Sequence, residues 1–161
     1  MAAANAASCD ATIAALEMKP ANHITRQNGD IGELQVQLKM LQPGHMVTKC
    51  DGGNALIDLV ALGRKLVGIQ AKTAEGVSRA KPFWIADAPA DCEWLWHVLV
   101  NLTAEGPDFY VFHSSVIAKR VAEWLVTPKR DGSSHSQGVT KFYPTAEELA
   151  EAKDSFAKMF T

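Results

Sequence analysis

The sequence predicts a single α/β (α+β) domain. Three observations carry that reading. The chain has 161 residues, about one ordinary domain. Hydrophobic residues make up 47% and charged residues 21%, enough for one real core and too apolar for a disordered chain. Finally, a helical pattern is followed by several short apolar segments with turn signals between them, and helical patterns return only afterwards. The order is helix, three or more strands, helix, helix.

Residues 1–27 read as a partly flexible N-terminal arm. Thr12 to Met18 suit a short helix ended by Pro20. Met1 to Ala7 lack a basic region and a long apolar core, so they make a poor signal peptide. The domain is expected over 28–161. Asn28 or Asp30 caps its first helix, with Ile31, Leu34, Leu38 and Leu41 as the apolar positions. Pro43-Gly44 stops it. Three extended segments follow, at 45–50, 55–62 and 66–73. Gly63-Arg64-Lys65 makes the last two a hairpin. Residues 74–91 read as irregular. Trp94, Trp96, Val98 and Val100 alternate as in a strand, and Asp108 to His113 form another. Ser114 or Ser115 caps a helix with Val116, Ile117, Val121, Trp124 and Leu125 on its apolar side. Residues 127–144 read as a loop. Thr145 and Glu148 then have the spacing of a capping box at the start of a last helix.

Composition narrows the function. Sixteen Lys and Arg face eighteen Asp and Glu, a net charge of −2. Any polyanion must therefore be held by a local patch. The loop with Lys129, Arg130 and His135 is the candidate: residues 117–143 hold five basic and two acidic residues. Three widely spaced cysteines make neither a disulfide framework nor a metal knuckle and fit a cytoplasmic protein. Apolar runs are too short for a membrane span. None of the five histidines has zinc spacing with the cysteines.

One cluster stands apart. Asp58 interrupts the apolar run 55–62, and Gln70 and Lys72 interrupt the next one. Two apart in a strand, Gln70 and Lys72 share a face. Polar groups in such strands are costly unless satisfied. A carboxylate, an amide and an ammonium can satisfy one another structurally. They can equally hold a hard divalent cation beside a phosphate.

In these residues the sequence resembles the PD-(D/E)XK nuclease superfamily, in its Holliday-junction-resolvase-like and restriction-endonuclease-like branches. The pattern is a helical Glu (Glu33), an Asp on one strand (Ile57-Asp58-Leu59), then (D/E/Q)-x-K on the next (Gln70-Ala71-Lys72). The Pro107–Val111 strand followed by a helix and the run Trp124 to Gly132 are also similar, so the resemblance covers roughly residues 28–143. It implies a restriction-endonuclease-like fold, a central mixed sheet flanked by helices. It implies a metal-dependent endonuclease that hydrolyses DNA phosphodiesters with Mg²⁺ or Mn²⁺, and a homodimer. Asp58 would be the principal metal ligand, joined by Gln70, the Ala71 carbonyl and Glu33. Lys72 would orient water and offset developing charge. Two departures stand out: Ile57 replaces the proline of the motif, and Gln70 replaces its acid. The alternative is a nuclease-fold module without catalysis that binds nucleic acid or a protein.

The resemblance makes a geometric demand. A two-residue turn at Gly63-Arg64 pairs Leu62 with Lys65, and Asp58 then opposes Ile69. A three-residue loop pairs Leu62 with Leu66, and Asp58 opposes Gln70. Glycine at the head of a type II′ turn favours the first. The chemistry requires the second, or a bulge that restores it.

Overall fold

A computed structural model describes residues 22–50, 56–75, 83–85, 91–129, 131–135 and 140–161. The arm as far as residue 21, with its expected helix, and the 51–54 turn lie outside the described residues.

Helix α1 (Asn22–Leu41) leads into β1 (Met46–Lys49), β2 (Leu59–Leu62) and β3 (Leu66–Glu75). Then come β4 (Phe83–Ile85), β5 (Leu95–Thr103), β6 (Gly106–His113), α2 (Ser114–Val126) and β7 (Thr140–Phe142). Helix α3 (Ala146–Ala152) and a 3₁₀ turn (Phe156–Phe160) end the chain. The main sheet has the order β1-β2-β3-β5-β6 and is mixed: β3 and β5 run parallel, the other neighbours antiparallel. β4 and β7 form a separate antiparallel pair.

The sheet separates two apolar layers. On one face α1 and the C-terminal Met159 and Phe160 cover Leu59, Val67, Ile69, Val98 and Val111. On the other, Ile117 and Val121 of α2 meet Leu99, Phe112 and Phe142. The alternation along β3 and β5 is the strand period of two.

Several expectations are corrected here. α1 starts at Asn22, so Asn28 and Asp30 lie within the helix and do not cap it. Asn28 instead donates from Nδ2 to Glu75 Oε1 at 2.8 Å. The buried stripe of α1 is Gly32, Val36 and Met40, whereas Leu34, Leu38 and Leu41 are exposed. Glycine decides the face. A Cβ on Gly32 would fall on Thr73 Oγ1, so only glycine lets the helix lie this close to β3. Asp58 lies one residue before β2, not inside a strand. The expected irregular segment 74–91 contains β4, and the expected loop 127–144 contains its partner β7. β6 begins at Gly106, two residues before the expected start at Asp108. His113, not Ser114 or Ser115, caps α2, accepting from Ser115 N through its side chain. The Thr145–Glu148 capping box forms with both of its bonds, at 2.7 and 3.1 Å.

The β2–β3 hairpin adopts the three-residue loop, with Leu62 opposite Leu66 and Leu59 opposite Ile69. Local turn preference yields to packing. Gly63 is pressed against the Phe160 ring, which stacks on His45 at 4.2 Å. A Cβ on Gly63 would stand 2.7 Å from that ring.

Gly32→Ala gains about 1 kcal/mol in helix propensity but loses about 1–3 kcal/mol through overpacking against Thr73. Urea denaturation is expected to show net destabilisation, largely relieved by adding Thr73→Ala. A more stable Gly32→Ala protein would contradict this packing.

Candidate active site

The site forms where β2 parts from β3. Asp58 N–H donates to the Ile69 carbonyl at 2.9 Å, although Leu59 is the residue opposite Ile69. Two residues of one strand thus address one of the other, which is how a bulge is built. On its other side the Asp58 carbonyl accepts from Cys50 N at 2.8 Å. Beyond this point β3 continues without β2, and the Ala71 N–H would lack a ladder partner. Asp58 supplies one: its Oδ2 accepts from Ala71 N at 2.8 Å. The carboxylate has replaced a strand carbonyl, so the fold fixes its position.

Burial raises the Asp58 pKa. The Ala71 hydrogen bond and the Lys72 charge oppose that shift, Glu33 adds to it, and Lys49 opposes it weakly. Asp58, Glu33, Lys72 and Lys49 therefore share one electrostatic neighbourhood. Glu33 enters from α1, one residue after the glycine that sets the approach of the helix. Its Oε2 meets Lys49 Nζ at 2.7 Å, and Asp30 lies 3.8 Å from the same ammonium. The Glu33 hydrogen bond, then its charge, raises the Lys49 pKa.

Gln70 is buried on β3, and Lys72 follows two residues on, half-buried. Gln70 stands in register with His97 of β5. His97 is fully buried, and neither ring nitrogen has a hydrogen-bond partner among the described residues. Burial, then the charges of Lys72 and His113, lowers its pKa to about 4, so the ring is neutral near pH 7.

Of the expected residues, Asp58 is bonded to Ala71, the charges of Lys72 and Glu33 act on Asp58, and Gln70 neighbours Ala71 on β3. Lys129 and His135 lie elsewhere, beyond α2, and Arg130 is outside the described residues. Lys129 closes a turn with Ser133 and Gly132. His135 stacks on Trp124, with ring centroids 3.8 Å apart. Sequence reasoning missed Lys49 and His97. The signal for Lys49 was its place on β1 opposite Leu59, next to Asp58. For His97 it was an imidazole inside the apolar run 95–100.

The oxygens of Asp58, Glu33, Gln70 and Ala71 are the hard donors a divalent Mg²⁺ or Mn²⁺ takes. Asp58 is a half-buried carboxylate that burial pushes toward its neutral form, and one of its oxygens accepts from Ala71 N. Among the described residues, no three His, Cys, Asp or Glu side chains form a metal-binding group. A cation here would rely on amide and carbonyl oxygens beside the two carboxylates.

With this geometry in place, the fold can be assigned. It is a mixed α/β fold with a central mixed sheet flanked by helices, the restriction-endonuclease-like arrangement expected from the sequence. The solved structures include one of similar fold, a bacterial homing endonuclease, I-Ssp6803I. It matches with a TM-score of 0.56 and 15% identity, over 84% of this chain and 93% of that one. At that identity the likeness is one of fold. No protein-family model matches the chain, and no curated protein does. Among the described residues, no helix is long and apolar enough to cross a membrane.

The raised Asp58 pKa has a signed consequence. The folded chain holds this proton more tightly than the unfolded chain. The stability it contributes is present at low pH and lost as pH rises through the folded-state pKa. Asp58→Asn keeps an acceptor for Ala71 N–H and removes the charge. In metal-free protein it is expected to raise Tm at neutral pH, with the gain shrinking as pH falls through the folded-state pKa. A lower Tm at neutral pH would contradict the burial argument.

Proposed function

We propose that this chain is a divalent-metal-dependent endonuclease acting on DNA phosphodiesters. The observation that supports the reading is the Asp58 carboxylate held by Ala71 N–H where β2 leaves β3, with the charges of Lys72 and Glu33 acting on it. Asp58 would hold Mg²⁺ or Mn²⁺ with the Gln70 amide oxygen, the Ala71 carbonyl and Glu33. The bound ion would supply positive charge against the charge that develops on the phosphoryl oxygens. Lys72 would orient the attacking water and stabilise that same charge from the protein side. Gln70 leaves the site one negative charge poorer than an acid would, so metal affinity is expected to be modest. Lys129, Arg130 and His135 would contact the DNA backbone.

A second reading has its own observation. Lys49 already neutralises Glu33 at 2.7 Å, as a cation would. That favours a nuclease-fold module that binds nucleic acid or a protein partner without cleaving.

Incubation of purified protein with supercoiled and branched DNA, in Mn²⁺ or in chelator, separates the two. The enzyme reading expects cleavage in Mn²⁺ only. Asp58→Ala is expected to abolish both cleavage and Mn²⁺ binding, and Lys72→Met to lower kcat about 10²–10³-fold. DNA binding that ignores metal, with no cleavage, would support the module. Gln70→Glu is expected to tighten Mn²⁺ binding in isothermal titration, because a charged oxygen replaces a neutral one. Weaker binding would remove Gln70 from the ligand set.

A further inference from the structure

The side of α1 turned away from the sheet is unusually apolar. Leu34, Leu38 and Leu41 are 60%, 53% and 46% exposed, and Ile31 precedes them, partly buried. The residues that bury α1, Gly32, Val36 and Met40, lie on the opposite side at 100° per residue. The leucines are therefore not a fringe of the core. Their spacing is three, four, three, which is the alternation of the a and d positions of a heptad seam. Ile31 and Leu38 fall on a, Leu34 and Leu41 on d. The same register carried toward the N-terminus puts Ile24 on a and Gln27 on d.

The flanks say what fits this seam. The e and g positions beside it are Asp30, Gln35, Gln37 and Gln42. Asp30 is the one charge among them, and Lys49 lies 3.8 Å from it. A partner helix with charged flanks would find nothing to pair with. An identical helix, with amides on its own flanks, meets no like-charge repulsion and can pair amide to amide.

We propose that α1 is a self-association seam, packing against α1 of a second copy of this chain through Ile31, Leu34, Leu38 and Leu41. The contact between Ile31 and Leu41 is about 15 Å long, so the dimer is expected to be reversible and dependent on concentration. Glu33 lies one residue from Leu34 on the same helix, off the seam. Dimerisation through α1 thus sets two copies of the candidate site on either side of one helix pair.

Light scattering with size exclusion, on the full chain over a micromolar series, tests this. The wild type is expected to shift from monomer to dimer as concentration rises, with a Tm that rises in parallel. Leu34→Glu/Leu38→Glu is expected to stay monomeric and folded by circular dichroism, because these side chains meet solvent in the single chain. Leu34→Glu/Leu38→Glu mixed with Leu34→Lys/Leu38→Lys is expected to restore the dimer, since opposite charges then meet across the seam whichever way the two helices run. A dimer that persists in the double glutamate variant overturns the proposal, because another surface then holds the copies together. A wild type that stays monomeric throughout overturns it too. If in that case Leu38→Glu lowers Tm, the seam is covered by another part of the same chain.

Discussion

The hydrogen bond from Ala71 N–H to Asp58 Oδ2 does two jobs at one point. A buried backbone amide needs a partner, and at Ala71 the neighbouring strand is no longer there to give one. The carboxylate that satisfies it can do so only if β2 has bulged at Asp58, and the bulge is held in turn by the Ile69 and Cys50 bonds. The acid is thereby fixed by the same backbone groups that terminate the strand. Its placement is a by-product of satisfying the sheet, so it needs no shell of side chains to hold it. Lys72, one residue beyond Ala71, follows automatically.

The other half of the site depends on a missing side chain. Gly32 lets α1 lie against Thr73, and the next residue, Glu33, is thereby delivered toward the open end of β2. Lys49 comes from the edge strand and neutralises it. Burial works against the charge on Asp58, and Lys72 and Lys49 work for it. In this balance the protein holds two acids close together at the cost of two lysines. In the proposed enzyme a divalent cation would replace that compensation, because it would neutralise both acids at once and leave Lys72 to a phosphate.

Much of this was legible in the sequence. Asp58, Gln70 and Lys72 drew notice because polar residues in apolar strands require a reason, and for Asp58 that reason is its bond to Ala71 N–H. The hairpin register followed from that requirement against the preference of its own glycine turn, because Gly63 is committed to packing on Phe160. The capping box at Thr145 was legible because it is wholly local. What stayed hidden depended on distant contacts. Leucine spacing on α1 identifies an apolar stripe but cannot say whether the stripe or the glycine side meets the sheet. The β4–β7 pair joins segments more than fifty residues apart, each only three residues long. Asp58 sits in a run that reads as strand, and its departure from β2 appears only once Ala71 is seen to take a side-chain partner.

The most direct test of the account is a crystal structure of the protein grown with Mn²⁺, with anomalous scattering used to locate the ion. The account predicts a peak beside Asp58, within coordination reach of the Ala71 carbonyl and the Gln70 amide oxygen, with the Ala71 N–H bond to Asp58 preserved. A protein that shows no anomalous peak at Asp58, with Lys49 still on Glu33, would contradict it.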